Sequence, residues 1–369
     1  MIKQLLIATM SGIICLVSLL SDSGIGQTYG IYEKAMTVMI LLFFLLPFIK
    51  TLLKGEIWLK DLLLFLGLVL VIGLWPMFQG NKDMGIQYGW LLLVPFVVGQ
   101  IPFSSRDVRT IGLVCGCFGG AVLASNLFFG VFSGWNPNSI AMAAFLGCAV
   151  CSAAPWETGL AKSIHRIFLL VMAFWVLALD SRSCFFGILP LLCLFAFNIV
   201  KPAFVLKTRW LRRLLLIAPA IIAVVVVIFQ NMEIFNILND LSQEYFGKPI
   251  FNGRNEVWEQ GLRELQQNFW LGSGYINSGW WHNVAITVLT AYGIIGYLLW
   301  IGLFDRILEK ARAFGNDRVL AGCTVSFLSI VLQQSFELGM VSTLGSMMPY
   351  FLLGILVGRM RYLNEKRLR

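Results

Sequence analysis

Long apolar runs recur along this chain from one end to the other. Each run has about 17–23 residues, the length that an α-helix needs to cross the hydrocarbon core of a bilayer. The composition agrees, because 58% of the residues are hydrophobic and only 13% are charged. The runs therefore predict an all-α polytopic membrane protein and exclude an ordinary soluble domain.

We predict about twelve transmembrane helices in a single membrane domain, residues 1–369, with no linker or internal repeat. The first span follows Lys3 and has no small-residue cleavage site after it, so we expect a retained helix and not a signal peptide. The predicted spans are 4–21, 35–52, 62–79, 84–102, 109–132, 138–155, 165–180, 183–200, 213–230, 282–303, 319–338 and 343–359.

Basic residues are distributed unevenly between the two sides of these spans. With the N-terminus inside, most of the 28 Lys and Arg residues fall on the inner side. This bias predicts that both termini are cytoplasmic. The net charge of +9 then belongs to a cytoplasmic rim that meets anionic lipid, so no nucleic-acid partner is expected. The outer side holds only Lys34, Lys82, Arg182, Lys248, Arg254 and Arg263.

One outward loop is long, residues 231–281 between spans nine and ten, and we expect it to face the periplasm. Its apolar positions Trp258, Leu262 and Leu265 recur at helical spacing. They predict an amphipathic helix of about three turns that begins after Asn252 or Gly253. Farther along, a Gly-x-Gly turn lies between two aromatic pairs placed like an interfacial belt. These are Gly272-x-Gly274, Phe269-Trp270 and Trp280-Trp281.

The cysteines and histidines do not form a metal or redox motif in the sequence. All eight cysteines fall in predicted spans or at their ends. Cys148-x-x-Cys151 has redox spacing but lies in an apolar helix, so we interpret it as a pair of small buried residues. Neither histidine has a second ligand at a useful spacing, and no metal or cofactor is expected.

Two outward arginines are the strongest binding candidates. Arg182 lies in a turn that barely leaves the bilayer, where a charge is costly unless it is paired or binds a ligand. Arg254 begins the predicted loop helix, where a cation gains nothing from the helix dipole. Planar guanidinium groups pair well with a diphosphate. We interpret both, with Ser181, as ligands of a lipid-linked anion. The alternatives are an Asp180–Arg182 or lipid-phosphate contact that anchors the helix ends, and a solvated surface charge at Arg254. Arg263, on the polar side of the helix, is expected to be a solvated charge.

His282 is the catalytic candidate on the outward side, at the start of span ten beside Asn283. An imidazole there suits general acid–base work or donation to a phosphate oxygen, and both roles stay open. The alternative is a histidine that only bonds to a neighbouring carbonyl. The remaining substrate-binding candidates are Asn138, Trp258, Asn283 and Glu337. Asn138 could instead cap span six, and Glu337 could instead pair with an outward arginine.

An ordered set of short motifs on this frame resembles the O-antigen ligase/polymerase superfamily. The resemblance covers residues 136–296 as motifs and the whole chain as topology. One departure is Phe269-Trp270-Leu271, where the family usually has a proline before the glycine turn. The motifs are Asn136-Pro137-Asn138, Ser181-Arg182-Ser183, Gly253-Arg254-x3-Trp258, Leu271-Gly272-x-Gly274, His282-Asn283 and Gly293-x-x-Gly296.

The resemblance implies a metal-independent glycosyltransferase of the bacterial inner membrane. Its donor would be an undecaprenyl-diphosphate-linked glycan, used on the periplasmic side. Arg182 and Arg254 would hold the diphosphate, and His282 would support the chemistry. The compact outward loop favours a polymerase that joins repeat units of O-antigen, capsule or exopolysaccharide, working with a chain-length regulator. The alternative is an O-antigen ligase with a lipid A-core acceptor.

A rival of another class is a flippase for lipid-linked oligosaccharides. Transporters of this kind tend to show internal repeats and polar residues at the bilayer midplane. Here the polar candidates gather at the outward surface, which favours glycosyl transfer.

Overall fold

A computed structural model describes residues 2–22, 59–81, 91–132, 136–249, 251–275, 281–337, 340–341 and 347–367. Regular structure in these ranges is helical, with π-helical turns at Val69–Leu74 and Leu192–Ala196. The α-helices are α1 Ile2–Asp22, α2 Leu59–Leu68, α3 Trp75–Phe78, α4 Val94–Val98, α5 Ser105–Phe129, α6 Pro137–Ser152, α7 Gly159–Ala178, α8 Arg182–Leu191, α9 Pro202–Lys207, α10 Arg209–Phe229, α11 Glu233–Phe246, α12 Arg254–Gln267, α13 Val284–Arg312, α14 Arg318–Gln333 and α15 Met347–Arg367.

The predicted all-α membrane class is confirmed for the described residues. Four helices, α5, α7, α10 and α13, are long and apolar enough to cross a membrane. Shorter apolar segments lie at Lys3–Val17, Leu66–Phe78, Pro137–Ser152, Arg182–Ala196 and Arg318–Gln333. The predicted span 35–52 lies outside the described residues, and so do parts of 84–102 and 343–359. The total of twelve spans stays a prediction.

α14 is the central helix of the described core. Every residue from Val319 to Gln333 is buried, and α14 packs against α8, α10, α15 and two other helices, α6 and α9. Each of these neighbours presents an apolar face to it, which removes the side chains of α14 from both lipid and water. The polar residues that follow α14 therefore emerge at one end of the core, where Gln334, Ser335 and Glu337 lie.

α13 is broken at Gly293, although the sequence predicts one continuous span over 282–303. Gly293 has φ 65° and ψ −172°, which no helical residue adopts. A break inside an apolar helix frees backbone groups that lipid cannot satisfy. Here the segment 269–274 satisfies them. Two amides of the segment donate to α13 before the break, Ser273 N to Thr290 O at 2.8 Å and Gly274 N to Ala291 O at 2.9 Å. Two amides of α13 after the break donate to the segment, Ile294 N to Phe269 O at 2.9 Å and Ile295 N to Trp270 O at 3.2 Å.

Glycine is required on both sides of this backbone pairing. A Cβ on Gly272 would lie 2.4 Å from the carbonyl carbon of Ala291, and a Cβ on Gly293 would lie 2.3 Å from Trp270 O. Both glycines also have φ near 65–70°, where side chains are strained. The predicted glycine turn therefore also serves to bring the loop against the broken helix.

In its described residues, the long loop contains two helices, of which only the second is predicted from the sequence. α12 begins after Gly253 as expected, and its 14 residues make roughly four turns instead of three. The aromatic belt prediction is wrong for Trp281, which is 1% exposed beneath α12. Gly261 allows α12 to pack closely against Trp281, since a Cβ at this position would lie 3.2 Å from the Trp281 ring. Phe269 and Trp270 are exposed, as a belt requires.

Charged residues assigned to one side of the membrane pair with one another. On the predicted inner side, Lys3 pairs with Asp107 and Arg213 pairs with Asp305, each at 2.7 Å. Arg359 likewise pairs with Asp317 at 2.7 Å. The residues predicted to face outward form a separate group, described next. Residues predicted to lie on the inner side thus pair with one another, and so do residues predicted to lie on the outer side.

Candidate active site

Glu337 contacts three residues from different parts of the chain, of which Arg254 and His282 are candidates from the sequence. Its Oε1 accepts hydrogen bonds from Arg254 Nη2 and Ser183 Oγ, both at 3.1 Å. Its Oε2 lies 3.7 Å from His282 Nδ1, which is longer than a normal hydrogen bond. The Arg254 and Glu337 side chains are 19% and 14% exposed, and His282 is 41% exposed. The cluster is thus half-buried, with the imidazole on its open side.

Arg254 is directed into this cluster by the start of α12. The two residues before it, Asn252 and Gly253, both have positive φ, 50° and 77°, so the chain turns sharply into the helix. Arg254 N donates to Phe251 O at 3.0 Å. A solvated surface charge, the alternative expected from the sequence, does not describe a side chain that is 19% exposed and paired.

The body of α12 is fixed to the membrane domain by polar and apolar contacts. At the end of α10, Gln230 accepts from Asn255 Nδ2 and donates to Glu259 Oε2, both at 3.0 Å. Trp258 is fully buried, and its Nε1 donates to Trp281 O at 2.7 Å. Trp258 therefore contributes packing, with no exposed surface for a ligand. Arg254 is consequently held on an anchored helix.

Arg182 lies beside the cluster, at the first residue of α8. Its Nη1 donates to Pro249 O at 2.9 Å and approaches Ser242 Oγ at 3.4 Å. Its Nε lies 3.8 Å from Asp180 Oδ1, so the expected Asp180–Arg182 pair is present, although Asp180 also pairs with Lys248. The next residue along the chain is Ser183, which contacts Glu337. Ser183 thereby connects the Arg182 turn to the Arg254 cluster.

Ser181 is buried as the residue before α8, with 1% of its surface exposed. Its side chain does not cap the helix. Ser183 and Lys248 were not candidates in the sequence. The repeated serine in Ser181-Arg182-Ser183 is the signal that could have indicated Ser183.

His282 is positioned by an unusual backbone and by its neighbour. Its φ is 47°, in the left-handed region that residues with a Cβ rarely adopt. Asn283 is fully buried and caps α13, with Oδ1 accepting from Ala285 N and Ile286 N at 2.9 and 3.1 Å. Asn283 Nδ2 donates to Pro219 O and Ser335 O, both at 2.9 Å. Asn283 thus ties His282 to α10 and to the segment after α14.

Asn138 is the second residue of α6 and is half-exposed. The expectation that it caps this helix is wrong, because Asn136 is the cap and its Oδ1 accepts from Asn138 N at 3.0 Å. Proline at the first helical position explains why α6 begins two residues earlier, since proline needs no amide hydrogen bond there. The preceding residues 133–135 lie outside the described part of the chain.

Arg263 is an exposed charge on the outer face of α12. Its Nη2 donates to Glu259 one turn earlier, and this bond, with a smaller contribution from Gln230, lowers the pKa of the Glu259 carboxyl. The side chain of Arg263 is 71% exposed. It therefore matches the surface-charge interpretation and provides a control position for the other arginines.

Comparison with known proteins identifies a related family over the middle of the chain. A family model described as O-Antigen ligase matches residues 167–301, a range that contains Arg182, Arg254, His282 and Gly293. A curated O-antigen ligase of Pseudomonas aeruginosa is 37% identical over 73 residues, which are 17% of this chain and 17% of that protein. The chain thus aligns with less than a fifth of that relative. The resemblance to the O-antigen ligase/polymerase superfamily is confirmed.

Proposed function

We propose that this chain transfers a glycan from an undecaprenyl-diphosphate-linked donor to an acceptor hydroxyl at the periplasmic face of the bacterial inner membrane. The observation that carries the proposal is the cluster in which Arg254, Ser183 and His282 meet at Glu337, with Arg182 adjacent. The family match supports it, because residues 167–301 include both arginines and the histidine.

In the proposed reaction, the acceptor oxygen attacks the anomeric carbon of the donor sugar. The bond from that carbon to the diphosphate oxygen breaks, and its electron pair leaves with the diphosphate. Arg182 and Arg254 stabilise the charge that develops on this leaving group, so that no metal is needed. The proton of the acceptor hydroxyl passes to His282 if the imidazole is the base. Otherwise it passes to the departing diphosphate, to which His282 donates a hydrogen bond.

Glu337 orients the two groups that the reaction uses. A guanidinium has five N–H donors, and Arg254 engages Glu337 through Nη2, which leaves donors for a diphosphate oxygen. Glu337 Oε2 faces the Nδ1 side of His282, which leaves Nε2 for the substrate. We therefore assign Glu337 as a positioning residue, in place of the direct substrate contact expected from the sequence.

For the acceptor, we propose lipid A-core, as in a ligase. Both the matching family and the relative from Pseudomonas aeruginosa carry the description O-antigen ligase. The second candidate is a polymerase that adds repeat units to another undecaprenyl-linked chain, together with a chain-length regulator. The outward loop, residues 231–281, is compact for a ligase, which favours this second candidate because a bulky core oligosaccharide needs space.

Complementation distinguishes these functions. The chain is expressed in a ligase-null and in a polymerase-null strain of a bacterium with a matching glycan, and the surface glycan is examined on a gel. Long glycan attached to lipid A-core in the ligase-null strain is expected. If long surface glycan is restored only in the polymerase-null strain, the chain is a polymerase and not a ligase. Failure in both, with restoration of a flippase-null strain, would contradict glycosyl transfer.

A further inference from the structure

α11 has three faces, and one of them is both apolar and exposed. Phe235, Asn239 and Ser242 turn inward and are buried or half-buried. A second face carries acidic residues. The third face consists of four side chains at positions i, i+3, i+4 and i+7, which form one stripe on a helix. They are Ile234, Ile237, Leu238 and Leu241, which are 54%, 47%, 38% and 45% exposed.

The stripe begins next to the exposed apolar surface of α10, a predicted membrane span. α10 is long and apolar enough to cross the membrane, and its last turns expose Val224, Val225 and Ile228. α11 starts four residues after α10 ends, and Met232 between them is also exposed and apolar. Exposed apolar side chains therefore follow one another along the chain from the end of α10 into α11.

The other end of α11 leads to the candidate active site. Ser242 Oγ donates to Lys248 O at 2.8 Å and accepts from Arg182 Nη1 at 3.4 Å. Lys248 adds a second cation through its pair with Asp180. A helix of 14 residues is roughly 21 Å long. α11 thus spans the distance between a lipid-facing helix and an arginine assigned to a diphosphate.

The charges on α11 do not favour simple adsorption to the bilayer. Interfacial helices that attach to anionic lipid carry Lys and Arg on their polar face. The sequence of α11 contains neither, and its polar face carries Glu233, Asp240 and Glu244. An apolar ligand whose charged head is held by Arg182 accounts for the stripe better than attraction to lipid headgroups.

We propose that the exposed stripe of α11 binds the polyisoprenoid chain of the lipid-linked diphosphate. The head of that lipid lies at Arg182, and its tail passes along Leu241, Leu238 and Ile237 toward α10. This inference rests on the proposed function, since it requires a lipid-linked diphosphate donor. It assigns the donor site a tail-binding surface that lies outside the Glu337 cluster.

The test compares two donors with the same glycan diphosphate, one with an undecaprenyl tail and one with a short farnesyl tail. Transfer by the purified full chain is measured for the wild type and for Leu238→Gln/Leu241→Gln. We expect kcat/KM for the undecaprenyl donor to fall roughly tenfold through KM, with the farnesyl donor little affected. The control Asp240→Asn/Glu244→Gln, on the polar face, should keep the wild-type preference.

Equal losses with both donors would overturn the inference, because they would indicate a general anchoring or folding role for the stripe. An unchanged preference for the long tail would overturn it as well. A wild-type chain that transfers from neither donor would contradict the proposed function itself, and the inference with it.

Discussion

His282 is held in a conformation that its own side chain does not favour. Its φ of 47° is costly for a residue with a Cβ. The next residue, Asn283, is held by four side-chain hydrogen bonds. Glu337 lies on the Nδ1 side of the ring at 3.7 Å. Backbone strain concentrated beside a paired carboxylate is characteristic of functional sites, where the surrounding structure fixes the direction of a reacting group.

Substitution of His282 separates its two possible roles. If the imidazole is the base, both His282→Ala and His282→Gln should abolish transfer while donor binding survives. If it donates to the leaving diphosphate, glutamine should restore part of the activity and alanine should weaken donor binding. We expect the second pattern, because two arginines already indicate leaving-group stabilisation. Transfer and donor binding are measured on purified variants, and full activity in both would remove His282 from the mechanism.

The residues of the site could be proposed from the sequence, but their arrangement could not. Arg182, Arg254 and His282 are conspicuous because charged residues are rare on the outward side. Glu337 is separated from Arg254 by 83 positions, and no periodic pattern connects residues so far apart. The burial of Asn283 and Trp258 could not be predicted from the sequence either. Their side chains are expected at a binding surface, but both are buried and hold helices in place.

At the scale of elements, the broken helix α13 and the segment 269–274 form one unit. The segment continues from α12, which carries Arg254, while α13 begins just after His282. The backbone hydrogen bonds across Gly293 therefore connect the two parts of the chain that supply the arginine and the histidine. We expect the geometry of the Glu337 cluster to depend on this connection.

Gly293→Ala tests that dependence against a control in the same helix, Gly302→Ala. A Cβ added at Gly293 would lie 2.3 Å from Trp270 O. The free energy of unfolding of Gly293→Ala should therefore be lower than that of the wild type by about 1–3 kcal/mol or more. At Gly302 a Cβ meets nothing within 4 Å, and alanine should be neutral or slightly stabilising. Thermal unfolding in detergent gives the comparison. Equal melting temperatures for the two variants would contradict the role assigned to Gly293.

The sequence prediction includes α12 but neither α11 nor the break in α13. α12 alternates a buried apolar side with a polar side, which is the pattern that periodicity detects. α11 carries the same kind of signal, since Ile234, Ile237, Leu238 and Leu241 lie at i, i+3, i+4 and i+7, so this helix could have been predicted from the sequence. Hydrophobicity continues across Gly293, and the backbone partner that stabilises the break comes from a distant loop.

For the whole molecule, the charges form two groups at separate places in the fold. The inner group pairs Lys3, Arg213 and Arg359 with acids of other loops, and the outer group surrounds Glu337. The excess of basic residues in the inner group predicts that it lies in the cytoplasm. The outer group, with the candidate active site, would then face the periplasm.

Cysteine labelling tests this orientation. Asp240→Cys on α11 and Ala313→Cys after α13 are placed, one at a time, in a variant that lacks the eight natural cysteines. Both positions are exposed. A membrane-impermeant thiol reagent, added to cells with a permeabilised outer membrane, should label position 240 and leave position 313 unlabelled until the inner membrane is lysed. The reverse pattern would contradict the predicted topology.

The central claim is that the outward arginines stabilise a diphosphate leaving group, and transfer by lysine variants tests it most directly. Lysine keeps the positive charge but loses the planar fork of the guanidinium. The rate of glycan transfer from undecaprenyl-diphosphate donor is measured for purified wild type, Arg182→Lys, Arg254→Lys and the control Arg263→Lys, with EDTA present. We predict that the transfer rate falls about 100–1,000-fold in Arg182→Lys and Arg254→Lys and that Arg263→Lys keeps the wild-type rate. Wild-type rates in both Arg182→Lys and Arg254→Lys would contradict the account.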